Sequence, residues 1–148
     1  MLFRSEAGSQ ALILQLNTEG AVVSREEMTE LLQHVADAPI PIGIWVGPNR
    51  GARAYGLPAQ LLAVADVTAM VAGSRIGHIG DPLIVDGAPI SFGSATDALR
   101  SGTMSFKTAR AEGVLKLDTS DEGVPTVRNM VLAMDGFQIG RASCRERV

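Results

Sequence analysis

The chain has a single cysteine, Cys144. No disulfide can close within it, and no thiolate metal cluster can be built from it. Its two histidines, without further cysteines, offer no metal-ligand spacing, so neither a metal nor a cofactor is expected. Aromatic residues make up only 4% of the chain, which leaves aliphatic packing to form the core. No basic block occurs and the net charge is −3, which argues against nucleic acid as a partner. No apolar run reaches the roughly 18 residues that a membrane span needs, and the opening MLFRSEAGSQ lacks the apolar centre of a signal peptide. What is present is 46% hydrophobic and 20% charged over 148 residues, the balance of one globular domain with its own core.

Both ends look foreign to that domain. The last ten residues, IGRASCRERV, turn basic directly after an apolar helical stretch. They match, codon for codon, one reading frame of a widely used sequencing adapter. Residues 139–148 are therefore expected to be an adapter-derived tail, and residues 1–138 the natural part. Without the tail's three arginines and one glutamate the net charge falls from −3 to −5, and Cys144 goes with it.

The pattern along the chain alternates. Ala11–Leu16, ALILQL, is a continuous apolar run suited to a buried parallel strand. Ser24 and Glu27 form an S-x-x-E capping box that opens a helix, with Met28, Leu31, Leu32 and Val35 on one face and an end before Pro39. Ile40–Val46, IPIGIWV, is the next strand. A second helix is expected from about Arg53 to Ala65, and Val67–Val71 is a third strand. The pattern then loosens into a glycine-rich loop with one extended piece at Leu83–Val85 and a turn at Asp86–Gly87. A short helix at Ser94–Arg100, a helix capped by Ser105 and closed by Gly113, a fourth strand at Val114–Leu117 and a last helix at Pro125–Met134 complete it. Strand, helix, strand, helix, strand predicts an α/β fold with a mostly parallel sheet flanked by helices.

In such sheets sites gather at the carboxyl ends of the strands. Two glycine-containing turns lie there, NTEGA after ALILQL and GPNRGARAYG after IPIGIWV. Glycine in such turns brings backbone N–H groups close to a substrate oxygen, although a turn needing positive φ explains each glycine equally well. The second turn runs into the apolar stretch GLPAQLL, a shape that often presents a nucleophile, yet GARAYGLPAQLL holds no serine, cysteine or threonine.

Taken in order, ALILQLNTEGAVVS, PIPIGIWVGPNRGARAYG and ADVTAMVAGSRIG resemble the ClpP/crotonase superfamily and, within it, the NfeD-type membrane-bound serine proteases of the ClpP class. The likeness covers about Glu6 to Met134. It implies ClpP/crotonase-like repeated β-and-α units, with Met1 falling inside the family's first helix and the family's first strand lying outside the chain. In proteolytic relatives the second turn reads like G-A-R-A-A-S-A-G. Gly51, Ala52, Arg53 and Ala54 agree with it, Tyr55 stands for the following alanine, and Gly56 stands where the attacking serine would be. The first turn reads like D-T-P-G-G in relatives and is Asn17-Thr18-Glu19-Gly20-Ala21 here. The resemblance places the oxyanion and peptide-groove backbone at Gly20, Ala21 and Leu57, with Tyr55 and Arg53 lining the groove. Tyr55 either fills the vacated nucleophile pocket or packs in an ordinary way.

The relatives are Ser/Lys enzymes, in which a desolvated lysine takes the serine proton. The corresponding stretch here, DGAPISFGSATDALRSG, has no lysine, and Lys107 aligns with a later helix as a solvated residue. Ser74 and His78 form the only other pairing to weigh. Ser74 lies on the same loop as His78 and not at a helix N-terminus, so a loop role for His78 is favoured. His34 reads as a surface histidine.

The reading that follows is a protease-like domain without nucleophile or base. It would bind a peptide or partner, or scaffold an assembly, as part of a membrane-associated protein. An active serine endopeptidase with a rearranged nucleophile is the alternative. A crotonase-type acyl-CoA enzyme fits less well, because the G-A-R-A signature is NfeD-like and the chain is short for an acyl-CoA pocket. The resemblance also implies an extended peptide or stomatin-like membrane protein as partner, and a homo-oligomer.

Overall fold

The structure, a computed structural model, describes residues 2–4, 10–20, 24–116 and 123–135. Its central sheet has the strand order β1-β2-β3-β5. Here β1 is Leu2–Arg4, β2 Gln10–Leu16, β3 Ile42–Val46 and β5 Val67–Met70. β2, β3 and β5 run parallel, with Leu14 level with Ile44 and Ile44 level with Thr68. β3 and β5 are buried along their whole length, which is why both read as unbroken apolar runs rather than alternating ones.

The two faces of β2 serve two cores. Ala11 and Ile13 join Trp45, Val67, Ala69, Met130 and Met134 on one side. Leu12, Leu14 and Leu16 pack towards Leu32, Ile44, Leu62 and Ile76 on the other. The first core is roofed by α5, residues 127–135, and is tied at its rim by the buried Trp45 indole, which donates to the Val124 carbonyl at 2.8 Å. The second core is covered by α1, Arg25–Ala36, and by α2, Leu61–Val64. Ser24 caps α1 as its sequence predicts, its Oγ accepting from the Glu27 N–H at 3.0 Å. Met28, Leu32 and Val35 are buried, whereas Leu31 is 42% exposed. The apolar stripe of α1 is narrower than its sequence suggests; the short α2, the 3-10 turn Leu57–Gln60 and a hairpin cover it.

A second, three-stranded sheet stands beside the first. It is made of β4, Arg53–Tyr55, β6, Arg75–Gly77, and a later strand, Thr103–Ser105, in the order β4-β6-β9. Between them, β7, Ile84–Val85, and β8, Ala88–Pro89, form a hairpin turned at Asp86–Gly87, with φ of 53° and 79°. Gln33 of α1 pins that turn: its Oε1 accepts from the Asp86 N–H at 3.1 Å and its Nε2 donates to the Asp86 carboxylate at 2.7 Å. The remaining helices are α3, Thr96–Ser101, and α4, Phe106–Ala111, the latter capped by Ser105 as expected.

Four sequence expectations are corrected. Residues Arg53–Tyr55 are a strand, not the start of a helix, because they are held between β6 and the first turn; helical structure begins with a 3-10 turn at Leu57–Gln60. Residues 114–116 are not a strand, since the edge of β5 is met instead by single contacts, among them the Lys116 N–H on Thr68 Oγ1 at 2.7 Å. Leu117 lies outside the described residues. Leu2–Arg4 is not helical but pairs antiparallel with β2, where the open edge of that strand offers unpaired backbone groups. The stretch read as a loose loop contains β6, and beyond it lies β9.

Candidate active site

The two glycine-containing turns converge. The first leaves β2 and is zipped to β4: the Thr18 N–H donates to the Arg53 carbonyl at 2.6 Å, and the Tyr55 N–H donates to the Thr18 carbonyl at 3.0 Å. Asn17 Oδ1 accepts from the Arg53 N–H at 3.1 Å, and Thr18 Oγ1 accepts from the Gly20 N–H at 3.2 Å. Each link satisfies a backbone group that would otherwise be orphaned where the strands end. Gly20 therefore faces the second turn. Ala21 lies outside the described residues.

Gly56 closes the second turn. Its φ of 84° and ψ of −164° fall in a region that is essentially open to glycine alone. Its N–H donates to the Gly77 carbonyl at 3.1 Å, so β6 holds the turn from one side. A Cβ built on Gly56 would come within 3.3 Å of the Gly20 Cα and 3.7 Å of Pro58 Cδ. The slot above Gly56 is thus walled by the first turn. Directly after it, Leu57 is the first residue of the 3-10 turn, with Pro58 following. Backbone N–H groups at the start of such a turn lack intrahelical partners.

Tyr55 is half-buried and meets two other residues. The Arg53 guanidinium lies over its ring, 5.8 Å from the centroid, and the His78 ring stands edge-on to it at 5.4 Å. His78 follows β6 with a φ of 50°, its N–H donating to the Gly102 carbonyl at 2.9 Å. A non-glycine residue in that conformation is held there by its surroundings. His78 is thus beside the Gly56 turn, as a rim residue standing edge-on to Tyr55.

Ser74 is elsewhere. It is fully buried, and its Oγ donates to the Val71 carbonyl at 2.6 Å. Ser74 precedes β6 and His78 follows it, so the strand rise separates them by roughly 13 Å. The structure does not bring the pair together.

The two lysines of the chain are also placed. Lys107 is exposed on α4, beyond the Arg75–Ser105 end of the small sheet, whereas Gly56 lies past its Tyr55–Gly77 end. Lys116 carries no signal in the sequence and has a structural task. Its Nζ donates to the Ala63 and Ala65 carbonyls, both at 2.7 Å, serving orphan carbonyls at the end of α2. Partial burial pushes its pKa below the ordinary lysine value, and the Asp66 charge offsets part of that. The unfolded chain thus holds this proton more tightly than the folded one, so stability should rise with pH between the folded and ordinary values. Urea midpoints of the wild type, taken relative to Lys116→Met, are expected to climb as pH is raised from neutral into the ordinary lysine range. A flat or falling difference would contradict this.

His34 is a surface residue, as expected: its side chain is 75% exposed and stands 3.9 Å from Glu30. Among the groups that sequence reasoning missed, Gly77 matters most for the site. It is the register partner of Tyr55 and the acceptor for Gly56. The hint for it was the first glycine of SRIGHIG.

With this geometry the chain can be set beside known proteins. No family model matches the sequence, and no curated protein does. Solved structures do. A lysine-to-alanine mutant of the 1510-N membrane-bound stomatin-specific protease, in complex with a substrate peptide, superposes with a TM-score of 0.57. It is 19% identical over 76% of this chain and 63% of its own. A serine-to-alanine mutant of that protease gives 0.56 at 23% identity, over 72% of this chain and 62% of the other. The 1510-N membrane protease specific for a stomatin homolog from Pyrococcus horikoshii gives 0.55 at 22% identity, over 71% and 55%.

The fold is that of the ClpP-like proteases.

The chain spans between 55% and 63% of the length of these solved proteins. Within the ClpP-like fold the two converging turns lie at the carboxyl ends of β2 and β3, where α/β sheets carry their ligands. Among the described residues no helix is long and apolar enough to cross a membrane.

Proposed function

We propose that this chain is a ClpP-like domain without protease chemistry, and that the groove between its two turns binds an extended segment of a partner polypeptide. The motif match carries the reading: set against G-A-R-A-A-S-A-G, Gly56 takes the serine's place, and it has no side chain to attack a carbonyl. Two observations agree with it. The buried Ser74 hydroxyl is committed to Val71, and Lys116 is committed to the end of α2. The Leu57 N–H, at the start of the 3-10 turn beside Gly56, is a backbone donor for a peptide carbonyl, and a solved neighbour of this fold holds a substrate peptide. The intact protein would act at a membrane, with a stomatin-like protein as the partner class, since the neighbours are described as membrane-bound and stomatin-specific.

A fluorophosphonate probe tests the reading directly. Incubation of the folded chain with the probe, followed by mass spectrometry of its peptides, should find no serine labelled above a heat-denatured control. Saturable labelling of one serine in the folded chain would overturn it in favour of a rearranged serine endopeptidase.

A further inference from the structure

The outward face of the small sheet carries a charge arrangement that folding alone does not favour. Ala54, Ile76 and Met104 point into the core, which turns Arg53, Tyr55, Arg75, Thr103 and Ser105 outward. Arg53 and Arg75 are direct register partners on neighbouring strands, so their Cα atoms stand about 4.8 Å apart. Both are exposed. Like charges directly opposite one another destabilise a sheet, and no residue of the three strands is acidic. The chain as a whole has 16 acidic residues and a net charge of −3, so partners for arginine are plentiful elsewhere. Among the described residues the ion-pair partner of Arg53 is Glu19, at 3.7 Å with Glu19 81% exposed. Among the described residues Arg75 has no ion-pair partner; its Nη2 donates to Thr103 Oγ1 at 2.7 Å.

We infer that this face binds the acidic part of a partner polypeptide, with Arg53 and Arg75 as paired anchors for its carboxylates and Tyr55 linking them to the groove. The inference rests on the groove reading, because Tyr55 joins the face to the Gly56 turn, so one extended segment spans both. Carboxylate is the chemistry that fits: a guanidinium offers forked donors to a planar acid, and two of them side by side suit two acids near each other in an extended chain. An anionic lipid surface calls for a cluster of about 4–8 basic residues, more than stand here. Glu19 is the internal competitor, resting on Arg53 until the partner's acid displaces it.

The test uses the full chain and two fluorescein-labelled peptides of alternating valine and serine. One is neutral, and in the other two serines at alternate positions are replaced by glutamate. Fluorescence anisotropy at low salt should show the acidic probe binding about tenfold more tightly, the effect of one good charge-assisted contact. Added salt should shrink the gap. Arg75→Gln, which leaves the groove-lining Arg53 in place, should shrink the preference while still binding the neutral probe, and Glu19→Gln should strengthen acidic binding. As a fold-independent check, Arg75→Gln should raise Tm by about 1–4 °C, because it relieves the like-charge pair. Equal affinity for both probes, or a preference that survives Arg75→Gln undiminished, overturns the inference and leaves the groove reading standing. Binding of neither probe removes both. Tight, Arg75-dependent binding to phosphatidylserine vesicles with no acidic-probe preference assigns the face to a lipid surface and overturns the acidic-polypeptide assignment.

Discussion

Replacing Gly77 by alanine is expected to cost the fold about 2–6 kcal/mol, from strain of roughly 1–3 kcal/mol at a special backbone angle and a similar amount from overpacking. Gly77 has a φ of 150°, and a Cβ there would run into the Gly102 carbonyl and come within 2.6 Å of the Thr103 Cα. Both obstacles are backbone and cannot swing aside. Strand β9 would have to move off β6, and the register Gly77–Thr103 and Ile76–Met104 would go with it. The damage reaches the site, since the Gly77 carbonyl holds the Gly56 N–H and Gly77 is paired with Tyr55. Urea denaturation measures the loss. Hydrogen exchange should locate it, with the amides of Tyr55, Gly56 and His78 losing protection before those of β3. A wild-type midpoint for Gly77→Ala would show that the small sheet is not closed as described.

The second large effect is a failure to gain activity. Gly56→Ser puts a hydroxyl where we propose that a nucleophile is missing, yet it is expected to cleave no fluorogenic peptide above background. The hydroxyl would lack a base: Lys107 lies past the opposite end of the small sheet and Lys116 is bound to the Ala63 and Ala65 carbonyls. It would also be strained, by about 1–3 kcal/mol, in a backbone region that glycine alone occupies readily. Its Cβ would press on the Gly20 Cα at 3.3 Å, so the two turns must part to admit it. Steady-state hydrolysis assays check the chemistry and thermal melts check the strain. Cleavage that is abolished by a further His78→Ala change would identify His78 as a base and overturn the present view of the site.

Local pattern carried much of this molecule. The apolar runs around Ile13, Ile44 and Ala69 became the three parallel strands, and Ser24 and Ser105 became caps. Asp86–Gly87 became a hairpin turn, and Gly113 closed α4 with a φ of 74°. Each of these depends on residues within about a turn of one another, so the sequence displays them. The strands Arg53–Tyr55, Arg75–Gly77 and Thr103–Ser105 do not show in it. Each has three residues, too few for a period to emerge, and each is extended only because a partner far along the chain pairs with it. Local pattern therefore extends the following helix back to Arg53, where the structure has a strand.

The sequence alone determined which chemical groups the second turn offers: GARAYGLPAQLL holds no serine, cysteine or threonine, and the chain has two lysines. Only the tertiary structure decided which of those groups meet. It packed Gly20 over Gly56, stood His78 against Tyr55, buried Ser74 at the other end of β6, and set Arg53 level with Arg75. Composition is a property of the chain itself. Proximity comes from pairings between segments far apart along it, whose free energy exists only once the whole core has closed.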